Sequence, residues 1–406
     1  MTETRTASVA ELGFDPARLA RLDKHLARYV DDGRLSGWQL LLTKNDQIAH
    51  ESAYGWRDRE AGQPVESDTL WRIASMTKPI TSVAAMTLWE EGAFELTDPI
   101  SRWLPAFADA RVYVKGVDRT MVTVPATEPI RVWHLLSHTS GLTAGFMRTG
   151  VVDELYRRAG YEFGSPPHPS IAECVDDWAG LPLLFQPGSA WGYGVSHDLL
   201  GRLIELWSGH PLDVAVRNRV LQPLGMTDTV WHCDEARRGR LAALYVPDAD
   251  EQAVRSEFSD AVLHRPAILS GGGGLLSTAG DYSRFARMLA NQGQLDGTRI
   301  LSPRTVRLMT RNHLPGDLAA LSTGGFAETS LEGVGFGLGF AVMDDPRKAH
   351  SVASRGEFYW GGIASTGFWV DPVDDLTCVF MTQLMPSSSH PIRSQLRQLV
   401  YSARTD

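Results

Sequence analysis

Lysine is rare in this sequence of 406 residues: 5 of the 39 basic side chains are lysine, and the rest are arginine. The lysines are Lys24, Lys44, Lys78, Lys115 and Lys348. Arginine stays protonated at any pH at which a protein is folded, whereas a lysine removed from water loses its proton more readily. A lysine kept against so strong a preference for arginine is therefore a candidate for proton-transfer chemistry.

Cysteine is equally rare, and long apolar runs are missing from the sequence. The 3 cysteines, Cys174, Cys233 and Cys378, are far apart and form no C-x-x-C pair, which predicts reduced thiols in a reducing compartment. The sequence contains no run of about 18 apolar residues, so it predicts no transmembrane helix. The N-terminal segment also lacks the apolar core of a secretory signal. We therefore expect a cytoplasmic protein that does not enter a membrane.

Runs of basic residues are missing too, and the formal net charge is −9. Such a chain offers no attractive field to nucleic acids or anionic membranes. The hydrophobic share of 43% and the charged share of 21% are ordinary for a globular protein. We expect one large composite domain or two domains, and a monomer or small homo-oligomer whose partner is a small molecule.

The pattern of apolar residues predicts strands at both ends of the chain and helices between them. An amphipathic helix follows Asp15, and the segments GWQLLLT and QIAHESAYG then form a hairpin. VGFGLGFAVM, GFWVDP and LTCVFMTQL are strands near the other end, before a closing helix. We predict an α+β fold in which residues 1–70 and 283–406 form a discontinuous α/β domain, an antiparallel sheet flanked by the N- and C-terminal helices. Residues 71–282 form a mostly helical domain, with the active site in the cleft between the two.

Lys78 follows Ser75 by three residues in RIASMTKPITS, at the predicted start of a buried helix. With Ser75 as the N-cap, helical spacing places its hydroxyl and the Lys78 amine on one face, within hydrogen-bond reach. A desolvated lysine can act as a neutral base toward the hydroxyl, and the positive end of the helix dipole favours the oxyanion formed on attack. The motif alone is weak, because chance gives such a spacing about a third of the time.

Two further segments offer the other groups that a serine nucleophile needs. Tyr193 follows a Pro-Gly turn and precedes an amphipathic helix, so it can project into a cleft as a second proton carrier. Gly361 and Gly362 let a strand backbone approach a ligand closely. The backbone N–H of Ile363 is the expected partner of the Ser75 N–H in an oxyanion hole.

These pieces, taken in their order along the chain, resemble the serine β-lactamase and penicillin-binding protein superfamily. S-x-x-K, a tyrosine after FQPGSAW, and a late W-G-G strand most resemble the family VIII carboxylesterases, which share the class C β-lactamase fold, and supporting segments extend over residues 15 to 400. The resemblance implies that Ser75 is the nucleophile, Lys78 its base and Tyr193 the group that passes the proton to the leaving alcohol. It places Trp360 where β-lactamases keep the first residue of K-T-G, with Gly361, Gly362 and Val195 beside the substrate.

The departures from the β-lactamase motifs favour an uncharged ester as substrate. Val195 replaces the amide of Y-x-N, and Trp360 brings no positive charge to meet a β-lactam carboxylate. Losing one charge-assisted contact weakens binding by about 1.5–3 kcal/mol. We therefore expect a carboxylesterase that acts on short acyl chains without cofactor or metal. An acyltransferase, a D-amino-acid peptidase and a weak β-lactamase stay open on the same fold, as does a non-catalytic ligand-binding relative.

Two other patterns carry less weight. His134 and His138 are spaced as metal ligands on a helix, but the segment HLLSH lacks the glutamate of H-E-x-x-H and no third ligand is evident. GVSHD approaches the G-x-S-x-G elbow of α/β-hydrolases, but Ser196 would lie on a helix and Asp198 replaces the second glycine. We interpret both as structural.

Overall fold

Both ends of the chain build one antiparallel sheet in the computed structural model, which describes residues 7–162, 168–323 and 331–405. The strands in chain order are β1 (Gly37–Lys44), β2 (Gln47–Asp58), β3 (Gln63–Pro64), β4 (Trp71–Arg72), β5 (Arg111–Lys115), β6 (Val122–Pro125), β7 (Tyr245–Pro247), β8 (Ala253–Arg255), β9 (Leu276–Ser277), β10 (Gln294–Leu295), β11 (Thr298–Arg299), β12 (Val334–Phe336), β13 (Ala341–Met343), β14 (Phe358–Gly361), β15 (Gly367–Asp371) and β16 (Leu376–Thr382). The large sheet has the order β12-β13-β14-β15-β16-β1-β2-β3. The predicted antiparallel sheet is therefore confirmed.

The sheet has an apolar layer on each face because alternate residues of β16 point to opposite sides. Cys378 and Phe380 belong to the core beneath the terminal helices, whereas Val379 and Met381 belong to the larger core on the other side. The predicted β1–β2 hairpin is present, and its turn residues Asn45 and Asp46 have φ of 51° and 61°. Asparagine and aspartate tolerate this left-handed conformation, which matches the strand twist.

Helices cover both faces of the sheet. They are α1 (Pro16–Asp31), α2 (Thr77–Glu90), α3 (Val132–Leu136), α4 (Val151–Arg158), α5 (Ile171–Gly180), α6 (Ser196–Ser208), α7 (Leu212–Val216), α8 (Ala279–Ala290), α9 (Pro303–Met309), α10 (Leu318–Leu321) and α11 (Ile392–Ser402). α1 and α11 share one core with β1 and β16, as predicted, and α8 packs on the opposite face. Within the described ranges, no helix is both long and apolar enough to cross a bilayer.

The structure departs from the sequence patterns in details. The segment predicted as the single strand VGFGLGFAVM is two strands, β12 and β13, because Gly339 has a φ of 99° and the chain reverses there. The division into domains at residues 70 and 282 stays a prediction. The helix α8, which packs on the sheet, extends across the second of these boundaries.

Hydrogen bonds between distant segments position the start of α2. β4 pairs with β9, so the glycine-rich segment 270–274 lies beside the chain that leads into α2. The backbone N–H of Leu275 donates to the Thr77 hydroxyl at 3.1 Å, and the Tyr282 hydroxyl of α8 donates to the Met76 carbonyl at 2.9 Å. The beginning of this buried helix is therefore held from the sheet side and from the glycine-rich segment.

Candidate active site

Ser75 lies in a 3₁₀ turn, Ala74–Met76, immediately before α2, so the prediction that it is the helix N-cap is wrong. The N-cap is Met76, and no side chain caps this end. Ala74 has a φ of 44°, a left-handed conformation that is unfavourable for alanine and turns the chain sharply just before the serine. The hydroxyl is thereby presented ahead of the helix N-terminus, where the positive end of the dipole still acts.

Lys78 and Ser75 are in contact. Lys78 is buried on the first turn of α2, and its Nζ lies 3.3 Å from Ser75 Oγ. The same amine donates to the Gly272 carbonyl at 2.6 Å and lies 4.4 Å from the centre of the Tyr193 ring. The three side chains that the sequence singled out therefore meet at one amine group.

Tyr193 is held in an aromatic wall at the entrance to α6. Its ring centre lies 5.7 Å from that of Trp360 and 4.8 Å from that of His138. His138 is fully buried, and burial, together with the nearby His197 and Lys78, lowers its pKa well below the usual value. A neutral imidazole therefore packs against the ring of the tyrosine.

The glycines after Trp360 allow the end of β14 to approach Ser75. A Cβ on Gly361 would stand 2.3 Å from the Arg393 guanidinium carbon, and one on Gly362 would stand 2.4 Å from the Ile73 carbonyl oxygen. Ile363 and Ser75 line the same cavity, as does Val195. The use of the Ser75 and Ile363 N–H groups as an oxyanion hole stays a prediction.

The cavity around these residues has a volume of about 1010 Å³, at the upper end of the roughly 300–1,000 Å³ typical of ligand sites. Much of its lining is apolar and includes Phe146, Met147, Tyr161, Trp178, Ile268 and Leu318. An apolar cavity of this size favours a neutral, hydrophobic ligand.

Three parts of the site were not identified from the sequence: Asp198, the glycine-rich segment 270–274 and Arg393. Asp198 accepts hydrogen bonds from the Ser270 hydroxyl at 2.6 Å and from the Gly272 N–H at 3.3 Å. Arg393, on α11, donates to the carbonyl oxygens of Gly362 at 2.6 Å and Thr366 at 2.7 Å, behind the W-G-G strand. The aspartate was visible in GVSHD and the glycines in SGGGG, but no local pattern links them to each other or to Lys78.

The two patterns interpreted as structural have buried partners of their own. Ser196 is buried on α6, with its Oγ 2.9 Å from the Ser140 Oγ. His134 Nδ1 accepts a hydrogen bond from the Arg131 backbone N–H at 3.0 Å, and burial lowers the pKa of His134 to about 4. Among the residues that the structure describes, no group of three or more histidine, cysteine, aspartate or glutamate side chains could hold a metal ion.

A model of the family described as Beta-lactamase matches residues 22–402 of the chain. The chain belongs to the beta-lactamase family. Esterase EstB of Burkholderia gladioli is 32% identical over 407 residues, covering 96% of this chain and 97% of that protein. An uncharacterized protein of Mycobacterium tuberculosis is 37% identical over 362 residues, 88% of each protein. The resemblance to family VIII esterases within the beta-lactamase superfamily is confirmed.

A solved structure supports the fold assignment. EstCE1, described as a hydrolase with promiscuous acyltransferase activity, superposes with a TM-score of 0.79 at 28% identity. The match covers 95% of this chain and 99% of that chain. The predicted β-lactamase-like fold is thus confirmed over nearly the whole chain.

Proposed function

We propose that this member of the beta-lactamase family is a serine carboxylesterase that hydrolyses carboxylic esters through an acyl-enzyme on Ser75. The observation that carries the proposal is the contact at one buried amine: Lys78 Nζ lies 3.3 Å from Ser75 Oγ and 4.4 Å from the centre of the Tyr193 ring. A nucleophile within reach of a base, with a second proton carrier beside the base, is the arrangement that acyl transfer requires. Similarity to Esterase EstB and to the hydrolase EstCE1 supports the same activity.

In the first step Ser75 Oγ attacks the ester carbonyl while Lys78, as the neutral amine, takes the hydroxyl proton. The carbonyl oxygen becomes an oxyanion, which the backbone N–H groups of Ser75 and Ile363 stabilise in this proposal, together with the N-terminus of α2. The tetrahedral intermediate then expels the alcohol. Tyr193 passes a proton to the leaving oxygen and recovers one from Lys78, so the products of this step are the acyl-enzyme and a neutral alcohol.

In the second step water takes the place of the alcohol. The Tyr193 and Lys78 pair accepts a proton from water as its oxygen attacks the acyl carbonyl, and the intermediate collapses with return of a proton to Ser75 Oγ. The carboxylic acid leaves and the free serine is restored. The same residues therefore act in reverse order in the two halves of the reaction.

The walls of the cavity support a neutral ester as substrate. Trp360 occupies the place where a β-lactamase carries a lysine, and Val195 replaces an amide, so neither position offers the polar contacts a β-lactam would use. Short acyl chains stay our expectation for the group carried by Ser75. The volume of about 1010 Å³ also has room for an alcohol larger than ethanol.

An acyltransferase is the second candidate, because the same acyl-enzyme can pass its acyl group to an alcohol instead of to water. The roomy cavity and the acyltransferase activity stated for EstCE1 favour it over the peptidase and β-lactamase alternatives. Partition of a p-nitrophenyl ester between free acid and new ester, measured with added alcohol, separates the two activities. Added amines and nitrocefin test the peptidase and β-lactamase alternatives in the same assay.

Covalent labelling tests the proposed function against the non-catalytic alternative. Ser75 should attack the phosphorus of a p-nitrophenyl alkylphosphonate, release p-nitrophenol and keep a stable phosphonyl ester. We expect intact-mass spectrometry to show one adduct per chain, and peptide mapping to place it on residue 75. A chain that takes no adduct while folded would instead be a ligand-binding relative without catalysis.

The cellular location and the oligomeric state are proposed from the sequence and not from the geometry of the site. A cytoplasmic location and a monomeric or small oligomeric state follow from the composition of the chain alone, and we retain both as predictions.

A further inference from the structure

Asp198 lies at the third position of α6, five residues after Tyr193, and its carboxylate lines the same cavity as Ser75 and Lys78. Its Oδ1 accepts the Ser270 hydroxyl at 2.6 Å and the Gly272 N–H at 3.3 Å. A Cβ on Gly272 would stand 2.8 Å from Asp198 Oδ2, so the glycine allows the carboxylate to lie directly against the backbone. One carboxylate therefore binds both ends of the short segment 270–272.

The segment 270–272 also contacts Lys78. The Gly272 carbonyl accepts the hydrogen bond from Lys78 Nζ at 2.6 Å, while the N–H of the same residue donates to Asp198. Thr81 on α2 holds the neighbouring residue, because its hydroxyl donates to the Gly271 carbonyl at 2.8 Å. Gly272 therefore links the Asp198 carboxylate to Lys78, because its N–H donates to the carboxylate and its carbonyl accepts from the amine.

We propose that Asp198 is a positioning residue for the reaction at Ser75: it fixes the Gly272 carbonyl that holds the Lys78 amine, and its negative charge stabilises the ammonium formed when Lys78 takes the serine proton. The proposal rests on the proposed role of Lys78 as base. In this arrangement Asp198 stands behind the base and does not contact the reacting atoms. Its part resembles that of the carboxylate in a Ser-His-Asp triad, with a backbone unit of Gly272 between carboxylate and base.

Stability alone does not explain a carboxylate at this place. Burial raises the pKa of Asp198, and the Ser270 hydroxyl, the charge of Lys78 and the Gly272 N–H offset this only in part. A carboxyl group whose pKa is raised by folding stabilises the fold while it is protonated, at low pH, and this stabilisation is lost as the pH rises through the folded-state pKa. The charged form of this buried side chain therefore contributes less to the stability of the fold than a neutral side chain of the same shape would.

The variant Asp198→Asn removes the charge and keeps the shape. Both hydrogen bonds end on Oδ1, so the amide oxygen of asparagine retains both of them. Without the negative charge of Asp198, the Lys78 amine is a weaker base. We expect the plateau of kcat to fall about tenfold with KM changed less than twofold, and the acidic limb of the pH–kcat/KM profile to move to lower pH by about one unit. The midpoint of thermal unfolding at neutral pH should stay equal or rise.

Among the described residues, the titratable groups that interact electrostatically with Asp198 are Lys78 on α2 and the Cys174 thiol on α5. Burial raises the pKa of Cys174, and the charge of Asp198 adds to this shift. Cys174→Ser in the Asp198→Asn background shows whether the thiol contributes to the moving limb. We expect the same limb position with and without the thiol. A limb that moves only when Cys174 is present overturns the assignment to Lys78.

Ser270→Ala is the matched control, because it keeps the charge of Asp198 and removes only the Ser270 hydroxyl, which donates to Asp198 at 2.6 Å and accepts the Gly272 N–H at 3.2 Å. We expect a severalfold lower kcat with the acidic limb at its wild-type position. If the limb of Asp198→Asn also stays at the wild-type position, Asp198 is only a structural residue and the proposal fails, whatever the change in kcat. If Asp198→Asn does not fold, as judged by circular dichroism, a wild-type kcat in Ser270→Ala overturns the positioning role. These outcomes are distinct from a failure of the proposed function, which would appear as full activity in Ser75→Ala.

Discussion

Replacing Ser75 with alanine is expected to lower the hydrolysis of p-nitrophenyl acetate or butyrate at least about a thousandfold, because the proposed acyl-enzyme forms on the hydroxyl that the substitution removes. The remaining rate would come from the oxyanion hole and from binding alone. The substitution removes one hydroxyl, which Lys78 Nζ approaches to 3.3 Å, so the fold should survive it. Initial rates of p-nitrophenol release, at saturating ester and with the midpoint of thermal unfolding measured in parallel, separate lost chemistry from lost structure.

Ser196→Ala is the matched control for this experiment. Ser196 is the serine of the segment GVSHD and lies at the start of α6. Its buried hydroxyl oxygen lies 2.9 Å from the Ser140 hydroxyl oxygen. We expect this variant to keep the wild-type kcat and to lose about 1 kcal/mol of stability, the usual effect of one buried hydrogen bond. Full activity in Ser75→Ala, or its loss in Ser196→Ala with an intact fold, would contradict the assignment of the nucleophile.

The members of the candidate site that lie in local motifs could be predicted from the sequence. S-x-x-K needs nothing but helical spacing to bring Ser75 and Lys78 together, and the two are indeed in contact at 3.3 Å. Tyr193 could be added because a loop before an amphipathic helix is a local feature. That it would reach the same amine followed only from the resemblance to a family, since 115 residues separate it from Lys78 and no local rule spans them.

The fold was predictable for a similar reason. Strands at the two ends of the chain leave few ways to build one sheet, and antiparallel pairing of β1 with β16 follows from two apolar strands that must share a core. The start of α2 was not predictable to the residue. Ala74 has a left-handed φ of 44° and lies against the W-G-G strand, where a Cβ on Gly362 would approach its side chain to 3.2 Å, and no local pattern predicts this contact between distant segments.

The groups that escaped prediction act through backbone atoms and over long separations. Gly272 supplies a carbonyl to Lys78 across 194 residues, and a carbonyl group is present at every position of every sequence. Asp198 reaches Gly272 across 74 residues, and Arg393 reaches the Gly362 carbonyl from the last helix. Side-chain motifs therefore identify the candidate reacting groups, whereas the residues that hold them become visible only when the backbone is folded.

Replacing Lys78 with methionine should have the second largest effect, a loss of about a thousandfold or more in kcat with a smaller change in KM. Methionine has nearly the length and shape of lysine without the amine, so the buried position stays filled. The proposed acceptor of the serine proton is then missing, and the Gly272 carbonyl loses the bond that Lys78 makes at 2.6 Å. The pre-steady-state burst of p-nitrophenol released from excess p-nitrophenyl acetate shows whether acylation is the step that fails, because the burst disappears when acylation becomes slow.

The same exchange at Lys115 is the control, because this lysine lies exposed on β5, outside the cavity. Lys115→Met should have wild-type kinetics. Two effects of Lys78→Met must be separated, because in the proposed mechanism the amine accepts the serine proton, and the ammonium so formed can also stabilise the oxyanion through its charge. A base that is missing makes the remaining rate rise with pH as hydroxide replaces it, whereas a missing charge lowers the rate equally at every pH. We therefore expect the residual activity of Lys78→Met to increase about tenfold per pH unit between neutral and mildly alkaline pH. A residual rate that does not depend on pH would mean that Lys78 contributes charge alone and that another group takes the proton of Ser75.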